Sequence, residues 1–293
     1  MADLLQNKVF VFAQNPTPSE SEIYFLDIVA ENASLGRICG HEIVSYSDNY
    51  DVYKIQSTLG PKIVKLSLDP EFNFENDPQP LNGPKTFSIV KADIGVQVVA
   101  KIEDFITAPS LAEIGESNIN SGWPLVVKAI INNSKEVHSR TLKDHLKALF
   151  KQTSLDENKN LDILVKTNSS NYQLIKKGAE ELKKEVEQLY KPWHSVDTLI
   201  NGNISSDNLF LDRNNAYISS WGKSYSAHVF LELAALKMNI DMPQLTEYDM
   251  FNELKRQSSS ENTWEDYIQC KTFVASYKFL ECVFSFIKET FLF

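Results

Sequence analysis

Cysteine is scarce in this chain: its 293 residues contain three, Cys39, Cys270 and Cys282. An odd count with no C-x-x-C pair argues against a disulfide framework and reads as free, buried thiols in a reducing compartment. None of the five histidines (His41, His138, His145, His194, His228) pairs with another histidine or a cysteine at ligand spacing, so no metal site is expected. Glycine is also sparse, at ten residues, and no G-x-x-x-x-G-K-[ST], G-x-G-x-x-G or G-x-S-x-G run occurs. Positive charge is short: 29 Lys and Arg stand against 39 Asp and Glu, a net charge of −10. That balance argues against a broad nucleic-acid footprint, which needs clustered cations. Long apolar runs are missing as well. The most apolar stretch, Phe279–Phe293, is interrupted by Glu281, Lys288 and Glu289, and a bilayer span needs ~20 apolar residues. The opening residues lack the basic and apolar segments of a secretion signal. The expectation is a cytoplasmic protein with neither a membrane nor a nucleic-acid partner.

What is present suits a soluble fold, with 43% hydrophobic and 23% charged residues. After a short apolar run at Val9–Ala13, the spacing predicts a helix over Ser19–Ile38, with Ser19 or Ser21 as its cap. Alternating segments Glu42–Tyr46, Asp51–Gln56 and Lys62–Leu66 read as a meander, and Thr86–Lys91 with Val96–Ile102 as a hairpin. Between them Asp69–Pro84 carries four prolines, so irregular chain is expected with at most a turn or two near Glu71–Glu75. Helical periods follow at Pro124–Asn132, Arg140–Gln152, Tyr172–Tyr190, Ala227–Met238, Gln244–Gln257 and Thr263–Leu292. Short apolar runs at Thr198–Ile200, Asn208–Leu211 and Ala216–Ser219 break them with hairpin character. The last helix carries apolar residues almost all round. It reads as a core helix, with a protein interface on one side as the alternative.

The stretch Leu199–Trp221, LINGNISSDNLFLDRNNAYISSW, resembles the catalytic and metal-binding hairpin of the aminoglycoside phosphotransferase and choline kinase superfamily. The shared frame is Leu199 and Ile200, Gly202, Asp207-Asn208, Leu209-Phe210-Leu211, Asp212 with its turn, Tyr217-Ile218 and Trp221. The preceding helix, ending at Tyr190-Lys191-Pro192-Trp193, has the expected place. Val52–Ile55, Gly60 and Ile63–Leu66 resemble the family's paired strands with their phosphate-contacting lysine, Lys65 or Lys62 here. Glu232–Leu236 resembles its Asp-Leu-Ala-rich helix, with Glu in the Asp place. The resemblance implies a two-lobed α+β protein-kinase-like fold. Its N-lobe, residues 1–104, would hold a five-stranded antiparallel sheet; residues 105–293 would form a mainly helical C-lobe with the hairpin at 199–221.

The same resemblance implies a degenerate site. The carboxylate that orients the acceptor hydroxyl is Asn203, and an amide cannot take a proton. The Mg²⁺-binding carboxylate is Ser220, or Ser219 in a one-residue shift, a poor sole anchor for a hard cation. The histidine of the pattern is Asn201. The loop Tyr46–Asp51 has no glycine and two aspartates, where phosphates would need close backbone approach. Lys65 lacks a clear helix-borne glutamate, Glu71 and Glu75 being the nearest, so it is expected to be unpaired.

These departures imply a catalytically inactive, kinase-like module (a pseudokinase) working through protein partners, as a subunit of a cellular or viral assembly, a virion included. No cofactor is expected. The second reading is an active ATP- and Mg²⁺-dependent small-molecule phosphotransferase with relocated acids; Asp207 and Asp212 lie close by, but Asp207 belongs to the turn and Asp212 sits past the strand, so neither is assigned to the cleft. Between them lies nucleotide binding without catalysis through Lys65, Glu103 in the connector Ile102–Phe105, and Asn208.

Overall fold

A computed structural model describes residues 18–46, 50–69, 71–133, 141–152, 169–189, 198–258 and 261–291. The apolar run Val9–Ala13, the loop centre Ser47–Asn49 and the helix end Tyr190–Trp193 lie outside them. The chain divides into two compact units: residues up to Gln79 with Gly83–Thr107, and Pro80–Asn82 with Ala108 onward.

The first unit is a helix on a sheet. Helix α1 (Glu20–Asn32) opens with a capping box. The Ser19 hydroxyl accepts from Glu22 N–H, and the Glu22 carboxylate accepts from Ser19 N–H, so two otherwise orphaned donors are satisfied. The helix ends at Asn32, earlier than its apolar spacing suggests. Ser34 and Gly36 then turn the chain through positive φ. A Cβ on Gly36 would lie 2.1 Å from the Thr58 hydroxyl, so that place needs glycine. Strands β1 (Ile38–Ser45), β2 (Asp51–Ser57), β3 (Gly60–Ser67), β4 (Thr86–Asp93) and β5 (Gln97–Asp104) form one antiparallel sheet in the order β1-β2-β3-β5-β4. Side chains alternate between its faces. Tyr53 and Ile55, Val64 and Leu66, and Val98, Ala100 and Ile102 form a core with Leu26, Val29 and Ala30 of α1. The opposite face of β3 and β5 carries Lys65, Lys101 and Glu103. Among its described residues, the proline-rich connector between β3 and β4 holds a single 3-10 turn, Phe74–Asn76.

The second unit is mainly helical: α2 (Leu111–Ile114), α3 (Ile119–Asn133), α4 (Leu142–Gln152), α5 (Ser169–Leu189), α6 (Val229–Asn239), α7 (Gln244–Ser258) and α8 (Trp264–Phe291). Two small ladders interrupt them: β6 (Thr198–Ile200) with β9 (Tyr225–Ala227), and the hairpin β7 (Leu209–Leu211) with β8 (Ala216–Ile218). Helix α3 begins five residues before Pro124, which lies inside it. Gly122 lets this helix approach Leu211, to 3.0 Å from where a Cβ would stand. Val229–Leu236 of α6 are all buried, so this helix is the centre of the unit. The described part of helix α8 carries apolar residues on both its buried and its exposed sides. Tyr267, Cys270, Phe273, Val274, Tyr277 and Leu280 recur at helical spacing in the core, while Ile268 and Phe279 are exposed. The thiols also depart from expectation: Cys270 is buried, but Cys39 and Cys282 are exposed, and all three are free. No helix of the described residues is long and apolar enough to cross a membrane.

Candidate functional site

The loop between β6 and β7 is built around Gly202. Its φ is +71°, and a Cβ there would lie 2.8 Å from the Tyr225 ring. Left-handed backbone and close packing together admit glycine only. The amides on both sides of Asn201 aim at one carboxylate. Glu232, on α6, accepts from the N–H of Asn201 and from that of Gly202, the latter at 3.1 Å. Burial pushes the Glu232 carboxyl up to about 7, against the opposing pull of these two N–H groups and of Lys278.

The side chain of Asn201 is fully buried. Its Nδ2 donates to the carbonyls of Ser219 (3.0 Å) and Ser220 (3.3 Å), and its Oδ1 accepts from Asn203 N–H at 3.1 Å. One neutral amide thus ties the loop to the end of the β7–β8 hairpin. Asn208 braces the loop on itself: its Oδ1 accepts from Ser205 N–H (2.7 Å) and its Nδ2 donates to Asn203 O (2.9 Å). Ser220 sits in the left-handed region at φ +62°. Asn203 is exposed, and its Oδ1 accepts from the Lys278 ammonium of α8 at 3.3 Å. The structure therefore brings Asn201, Asn203, Asn208 and Ser220 into one hydrogen-bonded cluster.

The two nearby aspartates lie in the turns on either side of β7. Asp212 accepts from the N–H groups of Asn214 and Asn215, both at 2.7 Å, and closes the β7–β8 turn. Those bonds hold its carboxyl below the usual range. Asp207 is exposed at the head of the turn before β7. Among the described residues no group of three or more His, Cys, Asp or Glu side chains could hold a metal. The cluster does not fit Mg²⁺. Its side chains are amides and a hydroxyl, the polar atoms of Asn208 are engaged with backbone, and an ammonium stands at Asn203.

In the first unit Lys65 is paired, contrary to expectation. Its ammonium lies 2.9 Å from Glu103, which also binds Lys101 at 2.8 Å, and Lys101 binds Asp77 at 3.1 Å. Lys65, Lys101 and Glu103 are 8%, 3% and 4% exposed. Burial raises the Glu103 carboxyl, but the two ammonium groups outweigh it and hold it below its ordinary range. Neither of the glutamates considered for Lys65 takes that role. Glu75 pairs with Lys91 at the surface, and Glu71 follows the turn at Asp69. The alternative lysine, Lys62, pairs with Asp104 at the strand end. Lys101 and Asp77 escaped the sequence reading. Lys101 carried a signal, since two-residue spacing puts it on the same strand face as Glu103. Asp77, in proline-broken chain, carried none. Lys278, on a helix distant in sequence, carried none either.

No protein-family model matches the sequence, and no curated protein matches it significantly. Solved structures do match. The architecture is that of the two-lobed, protein-kinase-like fold shared by choline kinases and aminoglycoside phosphotransferases. The choline kinase LicA from Streptococcus pneumoniae superposes with a TM-score of 0.59 at 15% identity, over 89% of this chain and 91% of that one. A choline kinase from Cryptosporidium parvum gives 0.56 at 11% identity, over 88% and 87%. A thermostable mutant of the aminoglycoside phosphotransferase APH(4)-Ia, in complex with ADP and hygromycin B, gives 0.55 at 10%, over 87% and 90%. At these identities the likeness is one of fold.

Proposed function

We propose that this chain is a non-catalytic, pseudokinase-type module that acts by binding other proteins, as a subunit of a larger cellular or viral assembly. One observation carries the reading: the loop and hairpin that hold acids in a phosphotransferase are here braced by the amides of Asn201 and Asn208. Asn203 offers a carboxamide to an ammonium, and Ser220 offers a hydroxyl. Neither can accept the acceptor's proton nor anchor Mg²⁺. The remaining nucleotide-binding candidates, Lys65, Glu103 and Asn208, spend their polar groups on one another or on backbone, so ATP and Mg²⁺ are not expected to bind. Exposed apolar side chains on the helical unit, Tyr248, Ile268 and Phe279, offer anchors to a partner. Three free thiols suit a reducing, cytoplasmic setting.

The test is a turnover assay with Mg·ATP against choline, ethanolamine and aminoglycoside acceptors, beside native mass measurement of the chain purified from its source. The reading predicts no acceptor-dependent ADP release and a stable heteromeric mass. Turnover abolished by Lys65→Ala or Asn208→Ala would establish the phosphotransferase instead.

A further inference from the structure

Lys65 and Lys101 are direct cross-strand partners in the β3–β5 register, and both are buried. Like charges in that relation repel, and buried ammonium groups need counter-anions. Glu103 supplies one from within the sheet, bridging both lysines. The second comes from outside it. Asp77 belongs to the β3–β4 connector, where its N–H closes the 3-10 turn on Phe74 O at 3.1 Å. That connector is held down by aromatic packing: Phe74 is 1% exposed and meets the rings of Tyr50 and Phe72 edge-on at 5.6 and 4.7 Å. The ladder therefore runs Lys65, Glu103, Lys101, Asp77, with alternating sign and a neutral sum. Its last member is the only one not fixed on a strand, and its side chain is 23% exposed against 3% for Lys101.

The geometry points to Asp77 as an internal ligand: the connector is a strap whose carboxylate fills an oxyanion site on Lys101 and keeps it closed. Lifting the strap leaves two buried ammonium groups against Glu103 alone, one positive charge in excess. An oxyanion of the carboxylate or phosphate class restores the balance. This goes beyond the functional reading and does not depend on what the helical unit binds.

Chemical rescue of the full chain tests it. Asp77→Ala is expected to lower the unfolding midpoint. At fixed ionic strength, formate or inorganic phosphate is expected to restore it by a few degrees with a saturable dose curve. Wild type is expected not to respond, nor the Asp77→Ala/Lys101→Met double variant. ADP tested beside phosphate distinguishes the source. Rescue at a lower concentration of ADP identifies a nucleotide phosphate, and equal rescue a free oxyanion. Asp77→Asn, which keeps the shape, carries the same readout where the alanine variant does not fold. Equal anion response in wild type and variant, or none in either variant, overturns the proposal.

Discussion

The ammonium of Lys278 stands 3.3 Å from the carboxamide oxygen of Asn203, the position that the sequence resemblance to the phosphotransferases assigns to their proton-accepting carboxylate. A cation beside that position opposes a second cation and attracts an anion. Restoring the acid by Asn203→Asp should therefore create an ion pair with Lys278 rather than a general base. The expected result is a small gain in stability, ~0.2–1 kcal/mol for so exposed a pair, with no Mg²⁺-dependent turnover. Thermal melts of Asn203→Asp with and without Lys278→Met measure the first part, and a coupled ADP assay the second. Appearance of turnover in the single variant would refute the assignment.

Glu232 sets a pH dependence. Its folded pKa, about 7, lies above its ordinary 4.5. The stabilisation is therefore complete below about 4.5 and lost as pH rises through 7, an effect of roughly 3 kcal/mol at most. Glu103 has the opposite sign. Its depressed carboxyl contributes above the ordinary range, and that contribution falls away as acid protonates it. Urea unfolding at pH 5 and pH 7.5 should show the protein less stable at the higher pH. Glu232→Gln should flatten that difference while lowering stability by ~1–3 kcal/mol, because one backbone N–H loses its acceptor. A variant with an unchanged pH slope would rule Glu232 out as its source.

Gly202→Ala combines a left-handed backbone, ~1–2 kcal/mol, with a Cβ pressed on the Tyr225 ring at 2.8 Å. A loss of roughly 2–4 kcal/mol is expected. Gly178 gives the control. It is an exposed helical glycine on α5 with nothing within 4 Å of an added Cβ, so Gly178→Ala should gain up to ~1 kcal/mol. Denaturant midpoints of the two variants should move in opposite directions.

The Lys65–Glu103–Lys101 cluster is buried, whereas Lys91–Glu75 is a surface pair with both side chains more than half exposed. Glu103→Gln leaves two facing ammonium groups short of a counter-charge and should cost ~3–5 kcal/mol. Lys91→Met should stay within ~0.5 kcal/mol. Equal effects at the two places would mean that the buried ladder carries no special energetic role.

Much of this arrangement is legible in the sequence because its physics is local. Two-residue alternation marks Asp51–Gln56 and Lys62–Leu66 to within two residues of β2 and β3, and Gly202, Asp207-Asn208 and Trp221 mark the loop and hairpin. Other features arise only in three dimensions. The family pattern points to a helix-borne partner for Lys65, but the prolines after β3 disfavour a helix there, and a strand neighbour, Glu103, supplies the charge. Strand β9 is three residues long and exists because β6 offers it an edge, so no periodicity announces it. Helix α3 starts five residues before Pro124 even though a proline there gives up the bond to the carbonyl four residues back, so the local proline rule marks its start too late. Exposure of Cys39 and Cys282 follows from an edge strand and from the outer side of α8, neither of which composition reveals.

The most direct test of the central claim is the unfolding midpoint of the wild-type chain with and without millimolar Mg·ATP. A ligand at ~100 times its Kd adds about 2.7 kcal/mol of stability, a shift that is readily detected. With Lys65 neutralised by Glu103 and only the Ser220 hydroxyl at the place assigned to the metal-binding acid, the account predicts no change. A rise that requires Mg²⁺ would contradict it.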